Sequence, residues 1–568
     1  MPLFPLMISL FPLMRLGARG GAARAAGAMA IVLAAPLAAQ APVAPASPDS
    51  TPLRTNLGVL HRSVTTSSPL AQQYFDQGLR LTYAFNHEEA VNSFRAALKH
   101  DSTCAMCWWG VANALGPNIN LPMDTAAERV AYAAVQEARR HAPRASPVDQ
   151  AFIAALAVRY DSVPGERRGM HDSAYAHAMR ELAARYPDDP DANALYAESL
   201  LDLRPWDQWK SDGTPQPGTL DAVAALERVI ARDSMHPGAC HFYIHTVENS
   251  RTPERALPCA ERLAQLMPGA GHLVHMPAHT YMRVGRYLDA VRANEHAAHE
   301  DVAFLRDRQP SGIYPFYYAH NLHFLWAAAS MAGQSETALQ AAREVAAKVP
   351  YDMARQMPFV EQITPTPYYA MVRFSRWEAL LDTPAPPSDL RFTLGMWHHA
   401  HGLALANTGR AAEAAADLDS LTAIAAAMPA DRVIGQSPAV SQLEIAKHVL
   451  AADIAAGTGD TAAAISHYRA AVPLEDSLRY DEPADWYLPV RQSLGRLLLA
   501  AGRYEEAERA FREDLERNRE NGWSLAGLAH ALEEQGKTTE AAQVNERFAK
   551  AWSAADVTKE LAVRGVRD

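Results

Sequence analysis

Four residues recur in this chain at fixed offsets, and that recurrence restricts the fold more than any other feature. Gly78, Ala90, Phe94 and Ala97 stand at offsets 0, 12, 16 and 19. Ala278, Ala290, Asn294 and Ala297 repeat the pattern, as do Gly402, Ala414, Leu418 and Leu421. Gly495, Ala507 and Phe511 repeat its first three offsets. Copies lie 34 residues apart in four places: Gly78 and Ala112, Ile244 and Ala278, Tyr368 and Gly402, Gly495 and Ala529. Between the markers, apolar residues return every three or four positions, the spacing of amphipathic helices. A repeat of this length is one helix–turn–helix unit, which cannot bury its apolar face alone and must stack on neighbours. Gly285, Gly409, Gly502 and Gly536 fall between the paired helices, where a left-handed residue ends the first helix.

These offsets, with Trp108 at a further marker position, resemble the tetratricopeptide repeat. The resemblance covers roughly residues 60 to 555 and implies an all-α, right-handed superhelical solenoid of hairpins. At ~150 residues per domain the length alone would give about four domains. A solenoid instead makes one array, expected at 57–555, with well-phased hairpins at 71–120, 237–300, 319–350, 361–425 and 445–555. Residues 121–190 read as helical but irregular, 204–218 as a loop, 301–315 as a loop or short helix, and 556–568 as a tail. LRPWDQW, HPGACHFYIHTVE, PGAGHLVHMPAH and YYAHNLHFL are similar to stretches in a group of exported bacterial repeat proteins. That similarity implies fold and no chemistry.

The first 41 residues read as a signal peptide. Arg15, Arg19 and Arg24 precede or open an apolar run that extends from about Ala25 to Ala39, and small residues follow; this order describes a secretory signal. The run is too short to span a bilayer, which takes ~18 residues or more. A Pro/Ala-rich linker at 42–56 follows, and the mature chain is expected to be periplasmic or secreted, with no membrane span. The net charge of −11 argues against a nucleic-acid partner bound through bulk charge. Cys104 and Cys107 form a lone CxxC at a helix start. An oxidising compartment favours a disulfide there, while a redox or metal role stays open; Cys240 and Cys259 are unassigned.

The glycine and alanine markers set the helix phase without reference to histidine. On that phase His241 and His245, then His272, His275 and His279, then His320 and His323 all fall on the stripe opposite the packed one. His399 falls there too, as do Trp109 and Asn113 in the CxxC repeat, while Glu248 and Arg283 extend the stripes. In tetratricopeptide solenoids, the resemblance implies, this stripe lines a concave ligand groove. His398, His401 and His448 fall on packed positions and read as core.

Two functions follow. The first is an exported scaffold holding a peptide, protein segment or small ligand in a groove of Trp109, Asn113, His241, His245, Glu248, His272, His275, His279, Arg283, His320, His323 and His399, with Trp206 and Tyr317 nearby. The second is a metal-dependent protein or enzyme, using zinc or copper at His241, His245, His275 and His279, with His323 as a further ligand. Imidazoles at i and i+4 on one helix can share an ion, and a neighbouring helix can complete the set. Neither HFYIH nor HMPAH has the glutamate of HExxH, so that protease mechanism has no support. No GxSxG, phosphate loop or strand-borne GxGxxG occurs, and no catalytic motif is recognised. Pro277, between His275 and His279, is expected to interrupt their helix.

Overall fold

Helices begin where the sequence supplies an N-cap. Ser68, Asp124, Ser146, Asp189 and Asn521 each accept a backbone N–H with the side chain at a helix start, satisfying donors that the first turn leaves unpaired. Pro69, Pro147, Pro190 and Pro237 sit in first turns, where a missing N–H costs nothing. The computed structural model describes residues 51–165, 167–310 and 313–564. The expected signal peptide and residues 42–50 of the linker lie outside these.

The described chain is an all-helical array of antiparallel hairpins. Pro69–Tyr83 pairs with His87–His100, Arg391–Asn407 with Ala411–Ala426, and Val490–Ala500 with Tyr504–Arg517. The strand content among the described residues is one two-residue antiparallel pair, Val433–Ile434 with Ser437–Pro438. The marker residues have a steric cause. The Phe94 ring lies between Gly78 and Gly110, and the Phe511 ring between Gly495 and Gly527. A Cβ at any of the four glycines would fall 2.2–2.7 Å from ring carbon, so the helices approach over bare backbone. The turn glycines Gly285 and Gly409 have φ of 80° and 78°, which side chains rarely adopt.

The irregular part is helical at Thr125–His141, Pro147–Ala157 and Arg168–Arg185, and 204–218 is a loop between Pro190–Asp202 and Thr219–Arg232. The 301–315 reading needs correction, because helix Tyr287–Arg308 runs through its first half and Tyr314 opens the next helix. Asp301, at the start of that stretch, is buried and accepts from Tyr314 Oη and Asn321 Nδ2 at 2.8 and 2.6 Å. The tail also carries a short helix, Lys559–Arg564. No described helix is long and apolar enough to cross a membrane.

The array folds back on itself. The first helix, Pro69–Tyr83, packs against Pro237–Val247. Later, Trp523 Nε1 donates to the Ser330 carbonyl at 2.9 Å and Tyr287 Oη to the Arg519 carbonyl at 2.9 Å. The stripe expected to line an open groove is therefore covered: His241, His245, His272, His275, His279 and His399 are each no more than 2% exposed. Two disulfides join Cys104 to Cys107 and Cys240 to Cys259, so no cysteine is free.

Candidate metal centre

Helix Pro237–Val247 carries His241 and His245 one turn apart. Its start is fixed by His236, whose Nδ1 accepts the Ala239 N–H at 3.0 Å and whose Nε2 lies 3.3 Å from Asp191 Oδ1. Cys240 ties the same helix to Leu257–Leu266 through Cys259. The next pair of helices is broken at Met276, with Gly271–His275 before it and Pro277–Val284 after it, as the position of Pro277 requires. This brings His272, His275 and His279 against the first pair, and His320 joins from Tyr314–Ala332.

Together six histidines and two glutamates form three groups, the last two sharing His279: His241, His245 and His272; His275, His279 and His320; Glu248, His279 and Glu482. Within each group the ligand atoms lie within 4.8 Å of one another. His241 Nε2 is 3.1 Å from His272 Nε2, and His275 Nε2 is 2.9 Å from His279 Nε2. A tetrahedral ion with bonds of ~2.0–2.1 Å holds its nitrogens roughly 3.3 Å apart, close to these separations.

The hydrogen bonds on the far side of each ring fix the tautomers. His241 Nδ1 donates to the Tyr83 carbonyl at 2.7 Å. His275 Nδ1 donates to Asn294 Oδ1 at 2.7 Å, and the Asn294 amide nitrogen is itself spent on the Ala290 carbonyl. In the neutral ring each Nδ1–H leaves a bare Nε2 lone pair, and both lone pairs point at another imidazole. His245 Nδ1 faces Glu248 Oε1 at 3.3 Å, and its Nε2 has no hydrogen-bond partner among the described residues. Such outer partners are how ligating imidazoles are oriented.

At the other end, His279 Nδ1 lies 2.8 Å from Glu248 Oε2 and 3.3 Å from Glu482 Oε2. The distances suit ion pairing, yet none of these three atoms has hydrogen-bond geometry to any described residue. Burial alone would push His279 down, but Glu248 and Glu482 hold it up at about 10. Burial pushes His241, His272 and His275 well below the ordinary imidazole value, and neighbouring histidines push them further. Burial also lowers His245, against the pull of Glu248, and takes His320 to about 3. Burial raises Glu482, and the attraction of His279 only partly offsets it. Glu248 is held low by His279 and His245 despite its burial. The five imidazoles held low are in the neutral form that a cation needs, whereas an ion at the carboxylate end has to displace the His279 proton.

Aromatic rings close the space around the cluster. Phe85 sits 4.5 Å from the His241 ring, Tyr317 4.6 Å from His272, Trp206 5.5 Å from His245 and Phe324 4.8 Å from His279. Phe85 occupies the turn position held by glycine in other hairpins and has φ of 55°, a strained backbone of the kind found at functional sites.

Four expected site residues are not brought to the cluster. His323 stacks on Trp326 at 5.1 Å between centroids and belongs to none of the three groups. His399 gives Nδ1 to the Ala446 carbonyl and bonds Tyr487 Oη through Nε2. Trp109 packs edge-on against Phe152 in the core. Asn113 is buried on the same helix, Ala105–Ala114, outside all three groups. Arg283 lies at the edge, donating Nε to the Glu248 carbonyl at 3.0 Å. Of the packed-position histidines, His398 and His401 share Asp417 at 2.7 Å each, and His448 faces His467 at 3.2 Å.

Sequence reasoning missed Glu482 and Asn294 as site residues. Glu482 comes from the connection between Thr461–Asp476 and Val490–Ala500, remote in sequence and without a motif. Asn294 did leave a signal: it is polar at the offset-16 marker, where Phe94, Leu418 and Phe511 stand elsewhere.

No family model and no curated protein matches this chain. Among solved structures, a human IFIT1 dimer with m7Gppp-AAAA aligns over 86% of this chain and 91% of that one, at 12% identity and a TM-score of 0.32. A monomeric IFIT1 mutant with Gppp-AAAA aligns over 85% and 91%, at 12% identity and a TM-score of 0.30. Scores this low define no common fold, so the fold assignment rests on the helix pairing and repeat phasing of this chain.

Proposed function

We propose that this chain is a metal-binding helical-repeat protein, exported to an oxidising compartment, with ions held inside the fold. One ion sits among His241, His245 and His272, and another at the His279 end with Glu248 and Glu482. The carrying observation is that His241 and His275, each locked by an outer hydrogen bond to Tyr83 or Asn294, aim bare Nε2 atoms at other imidazoles in a buried space. Left alone, buried polar atoms without partners cost free energy; here His245 Nε2 and His272 Nδ1 have no hydrogen bond among the described residues, and Glu248 Oε2, His279 Nδ1 and Glu482 Oε2 meet one another without hydrogen-bond geometry. Imidazole ligands suit zinc, copper, iron or nickel. Zinc or copper is the occupant we favour at the three-histidine position. Pairing of all four cysteines supports export, since disulfides persist where the compartment is oxidising.

A peptide in an open groove has less support, because the histidine stripe is covered. The test is elemental analysis of untagged protein, with thermal melts before and after chelation. Metal at one to two ions per chain is expected, with a clear fall in Tm on removal, because a ligand at about 1,000 times its Kd stabilises by ~4 kcal/mol. His241→Ala with His279→Ala should abolish most of this, because each removes a ligand of one ion. Metal-free protein whose Tm ignores added zinc and copper would overturn the reading.

A further inference from the structure

A cavity of about 880 Å³ lies beside one end of the cluster, within the size range of small-molecule pockets. Its wall includes Trp206, Arg283, Phe324, Tyr480 and Glu482. None of the six clustered histidines lines it among the described residues. Of the three groups, only Glu248, His279 and Glu482 therefore has a member on the cavity wall.

That group is also the best prepared to hold an ion with a vacant coordination position. If His279 gives its Nε2–H to the bare Nε2 of His275, 2.9 Å away, its Nδ1 is free toward the two carboxylates. Glu248 serves both ends, with Oε1 orienting His245 and Oε2 turned to His279. Glu482 is held by Tyr480, whose hydroxyl donates to Oε1. Its Oε2 faces His279 Nδ1 at 3.3 Å and has no hydrogen bond among the described residues, and the residue is 8% exposed. Three protein ligands with space beside them is the arrangement that keeps a position for water or substrate.

The groups around the ion bear on the incoming ligand. A divalent ion that displaces the His279 Nδ1 proton is balanced by the carboxylates of Glu248 and Glu482. Arg283 remains: its Nε is spent on the Glu248 carbonyl and its guanidinium lies 5.5 Å from the centre of the Tyr480 ring. Arg283 is thus the cation in contact with this group, while Asp481 and Asp485 stand on the same cavity wall. A ligand set with two carboxylates suits ions that also take oxygen donors.

We propose that Glu248, His279 and Glu482 hold an exchangeable metal ion facing the cavity, and that it takes a small oxygen donor, of the carboxylate or hydroxamate class, with Arg283 as the cation beside it. The proposal rests on the metal reading above and adds to it an open position and a ligand class. The histidine-only position beside Phe85 is in this arrangement closed and structural.

The experiment loads the full mature chain with Co(II), whose visible bands report its ligands, and titrates it with acetohydroxamate. Wild type should show a saturable spectral change. Glu482→Gln should lose about one Co(II) per chain together with that change, while cobalt at the three-histidine position stays. Arg283→Gln should keep the full cobalt content and bind acetohydroxamate at least tenfold more weakly; it also guards against misfolding of the first variant, with far-UV circular dichroism as control. The inference is overturned, with the metal reading intact, if Glu482→Gln retains the acetohydroxamate response or if Arg283→Gln binds it as wild type does. Failure of wild type to take up any cobalt overturns both.

Discussion

Asn294 stands at a marker where the array otherwise buries phenylalanine or leucine, and it spends both ends of its amide inside the core. A buried amide is kept only where its partners need it, and here the partner is His275. Asn294→Leu would restore the apolar residue of the repeat. It should leave helix content unchanged and lower metal affinity by about 10- to 100-fold, the usual cost of losing an outer-shell partner, measured by competition against a chromogenic chelator. Unchanged affinity would mean that His275 is not held for a ligand. Phe85 makes the same point by another route, as a side chain at a turn position that prefers glycine. Ser375 also replaces glycine at that offset, with φ of 53°, without belonging to any of the three groups, so a broken marker alone does not locate the centre. The histidine phase was legible because the small residues that set it are enforced by the rings of Phe94 and Phe511. What the phase could not say is whether the stripe faces solvent, since coverage comes from residues far away in sequence.

Elements were legible where helix ends carry punctuation and obscure where a polar residue is satisfied internally. The 204–218 loop is dense in proline, glycine and charge and was readable as such. Tyr287–Arg308 was cut short because Asp301 looks like a loop residue until Tyr314 and Asn321 are seen to satisfy it. The bridge between Cys240 and Cys259 had no motif; it exists because adjacent antiparallel helices bring their Cα atoms to 5.0 Å. It closes a loop with a sequence separation of 19 and clamps the helix bearing His241 and His245. Chain entropy for a loop of this size gives about 3 kcal/mol. Replacing both cysteines by alanine should therefore lower unfolding stability by about that amount in urea titrations of the metal-free protein. Removing Cys104–Cys107, whose separation is 3, should cost less. Equal costs would show that the constraint on the unfolded chain is not the main effect.

Over the whole molecule, the question is whether the array behaves as a string of repeats or as one body. An open solenoid couples only neighbours and can unfold piecewise. Here the later hairpins reach back to the middle of the chain. Trp523 is buried, donates to the Ser330 carbonyl, and lies under the Arg373 guanidinium at 3.9 Å. Trp552 crowds Gly333, and the Arg519 carbonyl lies against Gly285. The connection that delivers Glu482 leads into Val490–Ala500, which packs against Gly522–Glu534 at this seam, so the centre is tied to closure of the array as well as to its local repeats. Trp523→Ala should cost about 3–5 kcal/mol, the range for large core aromatics. The informative readout is where hydrogen-exchange protection falls. If the array is one cooperative body, protection is lost in Gly522–Glu534 and also in Tyr314–Ala332 and residues 478–489, and metal affinity drops with it. If loss stays within the last hairpins, the closure is a surface contact between independent repeats, and Glu482 is held by its own loop alone.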